Sequence, residues 1–149
     1  MKITKWFYFI LLFTSLIWMQ SVFPGDISSA ESGFLVRIAI DVLNLFNITI
    51  ESDVLHHIIR KIAHFMEFFI LGLLWLAFVL SQEKLENKYL FLMSIAVVLT
   101  AATDEIIQLF SIDRGPSITD FFIDITGGLI VLVVYMLFKL LYNRNVEKI

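Results

Sequence analysis

Residues 104–124, DEIIQLFSIDRGPSITDFFID, put five carboxylates, a glutamine and an arginine between two apolar segments long enough to cross a bilayer. An Asp, Lys or Arg at the centre of a membrane helix costs roughly 2.5–3.5 kcal/mol on insertion scales, and less near the ends, where it reaches water. Several such groups at one junction call for compensation from other helices, a wet recess or a bound ligand. The rest of the chain must therefore supply a bundle.

Composition agrees. With 59% hydrophobic residues, 17% charged residues and a mean hydropathy of +0.87 over 149 residues, the chain does not fit a soluble domain and reads as an integral membrane protein. The absence of cysteine removes any disulfide framework, thiol nucleophile or Cys-ligated metal. The net charge of −3 leaves no basic footprint for nucleic acid. A single transmembrane domain over residues 1–149 is expected, since no internal repeat is visible.

Four segments, residues 6–23, 62–80, 89–110 and 121–142, are apolar over close to the ~20 residues that span ~30 Å of hydrocarbon. The expected fold is all-α, a small bundle of four transmembrane helices. Phe23-Pro24-Gly25-Asp26 breaks the first segment, SQEKLENK at 81–88 forms a charged hairpin, and Asp113-Arg114-Gly115-Pro116 is a tight turn. Short connections make sequential neighbours antiparallel.

The first segment has a second reading as a cleaved signal peptide, because Lys2 and Lys5 precede it and Ser28-Ser29-Ala30 offers small residues for processing. It is long for a signal core, so an uncleaved helix is the plainer expectation. Residues 34–50, FLVRIAIDVLNLFNITI, tempt a fifth span. Arg37, Asp41 and Asn44 recur there at helical spacing, which predicts an amphipathic helix lying in the interface. That helix reads equally as a surface cap, with Arg37 and Asp41 pairing at i,i+4.

Of the eleven basic residues, Lys2, Lys5, Lys84, Lys88, Lys139, Arg144 and Lys148 fall on one face of a four-span topology, and Arg37, Arg60, Lys61 and Arg114 on the other. The positive-inside tendency then predicts cytoplasmic N- and C-termini. In this topology Arg60, Lys61 and His64, then Asp104, Glu105 and Gln108, then Asp120 and Asp124 come to the outward end. Helical phase puts each set within one arc, Glu67 joining the first and Gly127 the third. Three polar stripes at one depth predict an outward-facing pocket.

The ordered pattern of Lys61-Ile-Ala-His64 with an aromatic at Phe68, then Asp104-Glu105 with Gln108, then Arg114, Asp120, Asp124 and Gly127, resembles the VanZ family across most of the chain. The resemblance implies a small multi-pass protein of the bacterial cell membrane, from a family whose namesake is linked to low-level teicoplanin resistance. It implies no defined biochemical activity. Two positions depart from many relatives: Asp124 stands where they carry Asn, adding a carboxylate, and Phe68 where they carry Tyr, removing a hydroxyl.

Each residue also has a local reading. Ser117 and Asp120 are spaced as a capping box, and a carboxylate in a first helical turn is stabilised by the helix dipole. Gly127 and Gly128 fit close helix packing better than ligand contact, and Arg60 and Lys61 fit snorkelling to headgroups. His64 is the candidate proton carrier by its intrinsic pKa, or a structural hydrogen bonder; Asp104 and Glu105 are further candidate carriers. One imidazole and several carboxylates suit a hard or borderline cation, but their spacing matches no established metal motif, so neither metal nor cofactor is expected. Ser111 and Ser117 are weak nucleophile candidates, since nothing couples them to His64.

The leading expectation is an envelope protein whose pocket binds an amphiphile such as a lipid-linked cell-wall intermediate or lipoglycopeptide. Arg60, Lys61 and Arg114 would hold its anionic groups, with Gln108, Asp120 and Asp124 contributing polar contacts. The alternative is a membrane enzyme using His64 with Asp104 or Glu105 as acid and base on a phospho- or glycolipid. A proton-linked transporter is weaker, because the cytoplasmic half of the helices carries no ionisable relay. Four helices enclose little volume, which leaves a homodimer cavity open.

Overall fold

The computed structural model describes residues 3–23, 25–83, 86–112 and 115–146. They form five α-helices and no strand: α1 Lys5–Val22, α2 Gly25–Leu45, α3 Ser52–Leu80, α4 Asn87–Gln108 and α5 Ile118–Val146. Helices α1, α3, α4 and α5 are long and apolar enough to cross a membrane, and the molecule is a multi-pass membrane protein. Lys2, Pro24, Lys84, Asp113, Arg114 and Lys148 lie outside the described residues.

Contacts at the helix ends give the directions. At one end of the bundle Thr4 Oγ1 meets Ser81 Oγ at 3.0 Å, joining the start of α1 to the end of α3. At the other end the Ser21 hydroxyl donates to Asp104 at 2.5 Å, joining the last turns of α1 and α4. There too Lys61 of α3 meets Asp120 of α5. Thus α1 and α4 run one way and α3 and α5 the other.

Helices α3 and α5 form the most extensive contact although α4 separates them in sequence. Glycine permits it: a Cβ on Gly72 would fall 2.5 Å from the Gly128 carbonyl oxygen, and one on Gly127 would strike the Phe65 carbonyl. Close backbone approach is how membrane helices gain dispersion energy where lipid supplies no hydrophobic drive between them. Around this seam Phe68, Leu71, Phe78, Val79, Met93, Val97 and Ala101 are buried, and α1 adds Ile10 and Ile17. Large side chains such as Leu12, Phe91, Leu99 and Phe138 point outward. Such a surface belongs against lipid tails.

Two boundaries differ from the sequence expectation. The amphipathic helix occupies Gly25–Leu45 and not residues 34–50. Asn47 takes φ 57°, and Ile48 N–H bonds the Leu43 carbonyl while Asn47 N–H bonds that of Asn44. This is a Schellman stop with Asn in place of Gly, ending the helix inside an apolar run. Helix α3 starts at Ser52, ten residues before its apolar run begins. Its 29 residues reach ~43 Å against ~30 Å of hydrocarbon, so the polar first turns extend beyond the lipid core.

Candidate functional site

The site is built at the end of the bundle where α1 and α4 finish and α3 and α5 begin. The parallel register of α3 and α5 pairs Lys61 with Asp120 and His64 with Asp124. Gly127 against the Phe65 backbone sets that register, bringing α5 close enough for two short acidic side chains to reach α3. Lys61 Nζ donates to Asp120 Oδ1 at 2.6 Å, the side chains being 24% and 5% exposed. A short N⁺–H···O⁻ contact of this kind is charge-assisted and stronger than a neutral bond.

Deeper in, His64 Nδ1 lies 3.2 Å from Asp124 Oδ1, out of line for a hydrogen bond. Asp124 is fully buried; His64 is its ion-pair partner, and among the described residues no donor is aligned to hydrogen-bond either of its oxygens. Asp104, 1% exposed, accepts from the Ser21 hydroxyl at 2.5 Å and from Gln108 Nε2 at 2.9 Å. One ligating atom from each of His64, Asp104 and Asp124 falls within 4.8 Å of the others.

Glu105, one residue on, turns the other way. Its Oε2 accepts the Ser117 backbone N–H at 2.6 Å, tying α4 to the start of α5. The Ser117 hydroxyl in turn accepts the Asp120 N–H at 3.2 Å. Ser117 thus caps α5 through its side chain, while Glu105 takes the donor that a reciprocal capping box would have left to residue 120. Asp120 holds both a place in the first turn of α5 and the ion pair with Lys61.

Of the sequence candidates, Lys61, His64, Asp104, Glu105, Gln108, Asp120 and Asp124 come to one end of the bundle and are joined by these contacts. Arg60 is exposed and makes none of them, and Arg114 is outside the described residues. Gly127 and Gly128 face helix backbone and Val97 respectively. Ser111 donates to the carbonyls of Val22 and Phe23, at 3.1 and 2.9 Å, and fastens the α4 exit to the end of α1. Arg37 and Asp41 on α2 are exposed and stand apart from the cluster. Phe68 is fully buried among apolar side chains, a setting that suits a ring without a hydroxyl.

Sequence reasoning missed Ser21 and the Ser117 N–H. Ser21 is one of several hydroxyls in an apolar run, and its only signal is its position in the last turn of the first span, level with Asp104. A backbone donor has no sequence signal at all.

The fold and site define a small polytopic α-helical membrane protein with a buried histidine–carboxylate cluster near one end of its spans. The VanZ/LLP1 family matches residues 5–139, and the chain belongs to that family. No curated protein and no solved structure matches it.

Proposed function

We propose that the cluster faces outward, with both termini cytoplasmic, and binds the polar head of an envelope amphiphile, a lipid-linked cell-wall intermediate or a lipoglycopeptide such as teicoplanin. The observation that carries this reading is the convergence of His64, Asp104 and Asp124 within 4.8 Å, beside the Lys61–Asp120 pair, near the ends of apolar helices. Ionisable groups at such depth are expensive and mark ligand or ion sites by default. Lys61 would exchange part of its contact with Asp120 for an anionic group of the ligand, and the carboxylates would accept from its hydroxyl or amide donors.

An apolar groove supports the amphiphilic part of the reading. A cavity of about 260 Å³ lies between α3 and α4 in the half of the bundle away from the cluster, lined among others by Trp75, Phe78, Leu92 and Leu99. All the clustered side chains come from one chain, and the reading needs no second copy.

The test is retention of two probes, a polyprenyl-pyrophosphate glycolipid and teicoplanin, by the purified chain in nanodiscs. Asp104→Ala should cut retention of at least one probe tenfold or more, with the probe recovered chemically unchanged. Equal retention by the variant overturns the reading. Conversion of the glycolipid to product would favour an acid/base enzyme instead, a second reading supported by the His64 imidazole lying 3.2 Å from the Asp124 carboxylate. Altered teicoplanin susceptibility on expression would place the binding in a resistance context.

A further inference from the structure

Among the described residues, the buried end of the cluster is rich in carboxyl groups. Lys61 and Asp120 cancel each other at 2.6 Å. That leaves the carboxyl groups of Asp104, Glu105 and Asp124 around a single imidazole, with Glu67 acting on that imidazole from the same helix. Asp104 accepts from the Ser21 hydroxyl and the Gln108 amide among its contacts, and Glu105 accepts the Ser117 backbone N–H. Asp124, with none of its surface exposed, has the His64 imidazole at 3.2 Å and, among the described residues, no aligned hydrogen-bond donor to either oxygen.

A buried carboxylate without donors is rare, and each instance asks for an explanation such as an ion. Protonation answers only part of this, because a neutral Asp124 could donate to an unprotonated His64 Nδ1 at 3.2 Å but its other oxygen would still lack a donor among the described residues. Its neighbour is in the same condition: His64 Nδ1 is buried and has no hydrogen-bond partner, although Asp124 lies 3.2 Å away. Two potential ligand atoms that face each other at 3.2 Å without an aligned hydrogen bond also suit a shared third body.

The spacing fits that body. Ligands held ~2.0–2.6 Å from a cation lie at most roughly 4–5 Å from one another, and the three atoms here fall within 4.8 Å. We infer that His64, Asp104 and Asp124 form a site for one divalent first-row cation of the Mn²⁺ or Zn²⁺ type. An imidazole with two carboxylates is a donor set that suits such cations better than Mg²⁺, which prefers oxygen and water. The Gln108 amide and Ser21 hydroxyl bond Asp104 from behind, the position from which partners orient a ligating carboxylate. Three protein ligands leave coordination positions free for water or for an oxygen of an anionic headgroup. The inference deepens the proposed function, resting on this recess being a binding site and not on which amphiphile enters it.

The test uses the metal alone. The full chain in nanodiscs of zwitterionic lipid, stripped with EDTA, is titrated with Mn²⁺ while the electron paramagnetic resonance signal of the free aquo ion is followed. One Mn²⁺ per chain should be taken up, displaced by Zn²⁺ and resisted by a hundredfold excess of Mg²⁺. Asp124→Asn and His64→Gln should each weaken binding at least tenfold, and Thr4→Ala, at the opposite end, should not change it. Asp124→Asn keeps the shape of the side chain, so that variant is expected to fold, and its helicity by circular dichroism confirms the comparison. Uptake no greater than that of empty nanodiscs, Mn²⁺ binding unaltered in Asp124→Asn, or displacement by Mg²⁺ at equal concentration would each overturn the inference. Since no amphiphile is present, Mn²⁺ binding without probe retention would sink the proposed function and leave the metal site standing.

Discussion

The two ends of this bundle are held together by different chemistry. Around Phe7, Trp75, Phe78, Val79, Leu90 and Met93 the helices meet through aromatic and aliphatic contact, Phe78 lying 5.8 Å from Trp75 and 6.0 Å from Phe7 between ring centroids. Around Lys61, His64, Asp104 and Asp124 they meet through ion pairs and hydrogen bonds. The first kind suffices to pack helices in lipid. The second is not needed for packing, and replacing buried ion pairs with well-fitted apolar groups is often neutral or stabilising. A polar end beside an apolar one that packs without it is what the proposed binding site would call for.

If that contrast is right, cutting one partner from the polar end should do the greatest damage. Lys61→Met strands the Asp120 carboxylate, which is 5% exposed. Removing one member of a fully buried pair costs ~3–5 kcal/mol; because Lys61 itself is 24% exposed, about 3 kcal/mol is expected. Adding Asp120→Asn should recover more than half of the loss, since the stranded charge goes with it. Helicity followed through an SDS titration reads all three variants. A double variant as unstable as the single one would mean that Lys61 packs and does not merely pair.

At the apolar end the expected effect is smaller. Phe→Ala in a water-soluble core costs ~3–5 kcal/mol, but helices separated in lipid do not expose that surface to water, so Phe78→Ala should lose mainly dispersion contacts, about 2 kcal/mol. The same titration checks it. A loss larger than that of Lys61→Met would reverse the ranking of the two ends.

Much of this contrast was readable in the sequence, and the reasons are physical. Span position follows from hydropathy, which is a sum over some twenty residues and tolerates local noise. Convergence of the ionisable groups follows from alternating direction plus helical phase. Two classes of feature were not readable. Helix ends that depend on one backbone conformation, such as Asn47 stopping α2, have no averaged signal. The extension of α3 to Ser52 was hidden because a helix outside lipid need not be apolar. Partners that are uncharged or backbone, Ser21 for Asp104 and the Ser117 N–H for Glu105, were also invisible. The parallel seating of α3 on α5 was foreshadowed only by Gly127 and Gly128, whose counterpart Gly72 looked like any glycine in an apolar run.

The contrast sharpens further at Asp124, where stability and function should part company. Asp124→Asn keeps the shape of the side chain and removes a fully buried charge whose ion-pair partner, His64, is not aligned to hydrogen-bond it. Metal-free stability should stay the same or rise by up to about 1 kcal/mol, the direction expected when a strained functional group is relaxed. A fall of about 2 kcal/mol or more in the SDS titration would make Asp124 a structural partner of His64.

The smallest perturbation asks which end of the bundle faces out. The chain has no cysteine, so single Ser→Cys variants report their own accessibility without background. Ser111 and Ser117 lie at the end that carries the cluster, and Ser81 at the other, beside Thr4. Each variant exchanges a hydroxyl for a thiol and gives up at most one or two peripheral hydrogen bonds, about 1 kcal/mol, so the bundle should persist. In intact cells a membrane-impermeant maleimide should label Ser111→Cys and Ser117→Cys but reach Ser81→Cys only after permeabilisation. The opposite pattern would turn the cluster toward the cytoplasm, where a lipid-linked precursor or a metal ion can still be met but an external lipoglycopeptide cannot. The chemistry of the polar end would survive that result, and its ligand would have to be sought on the other side of the membrane.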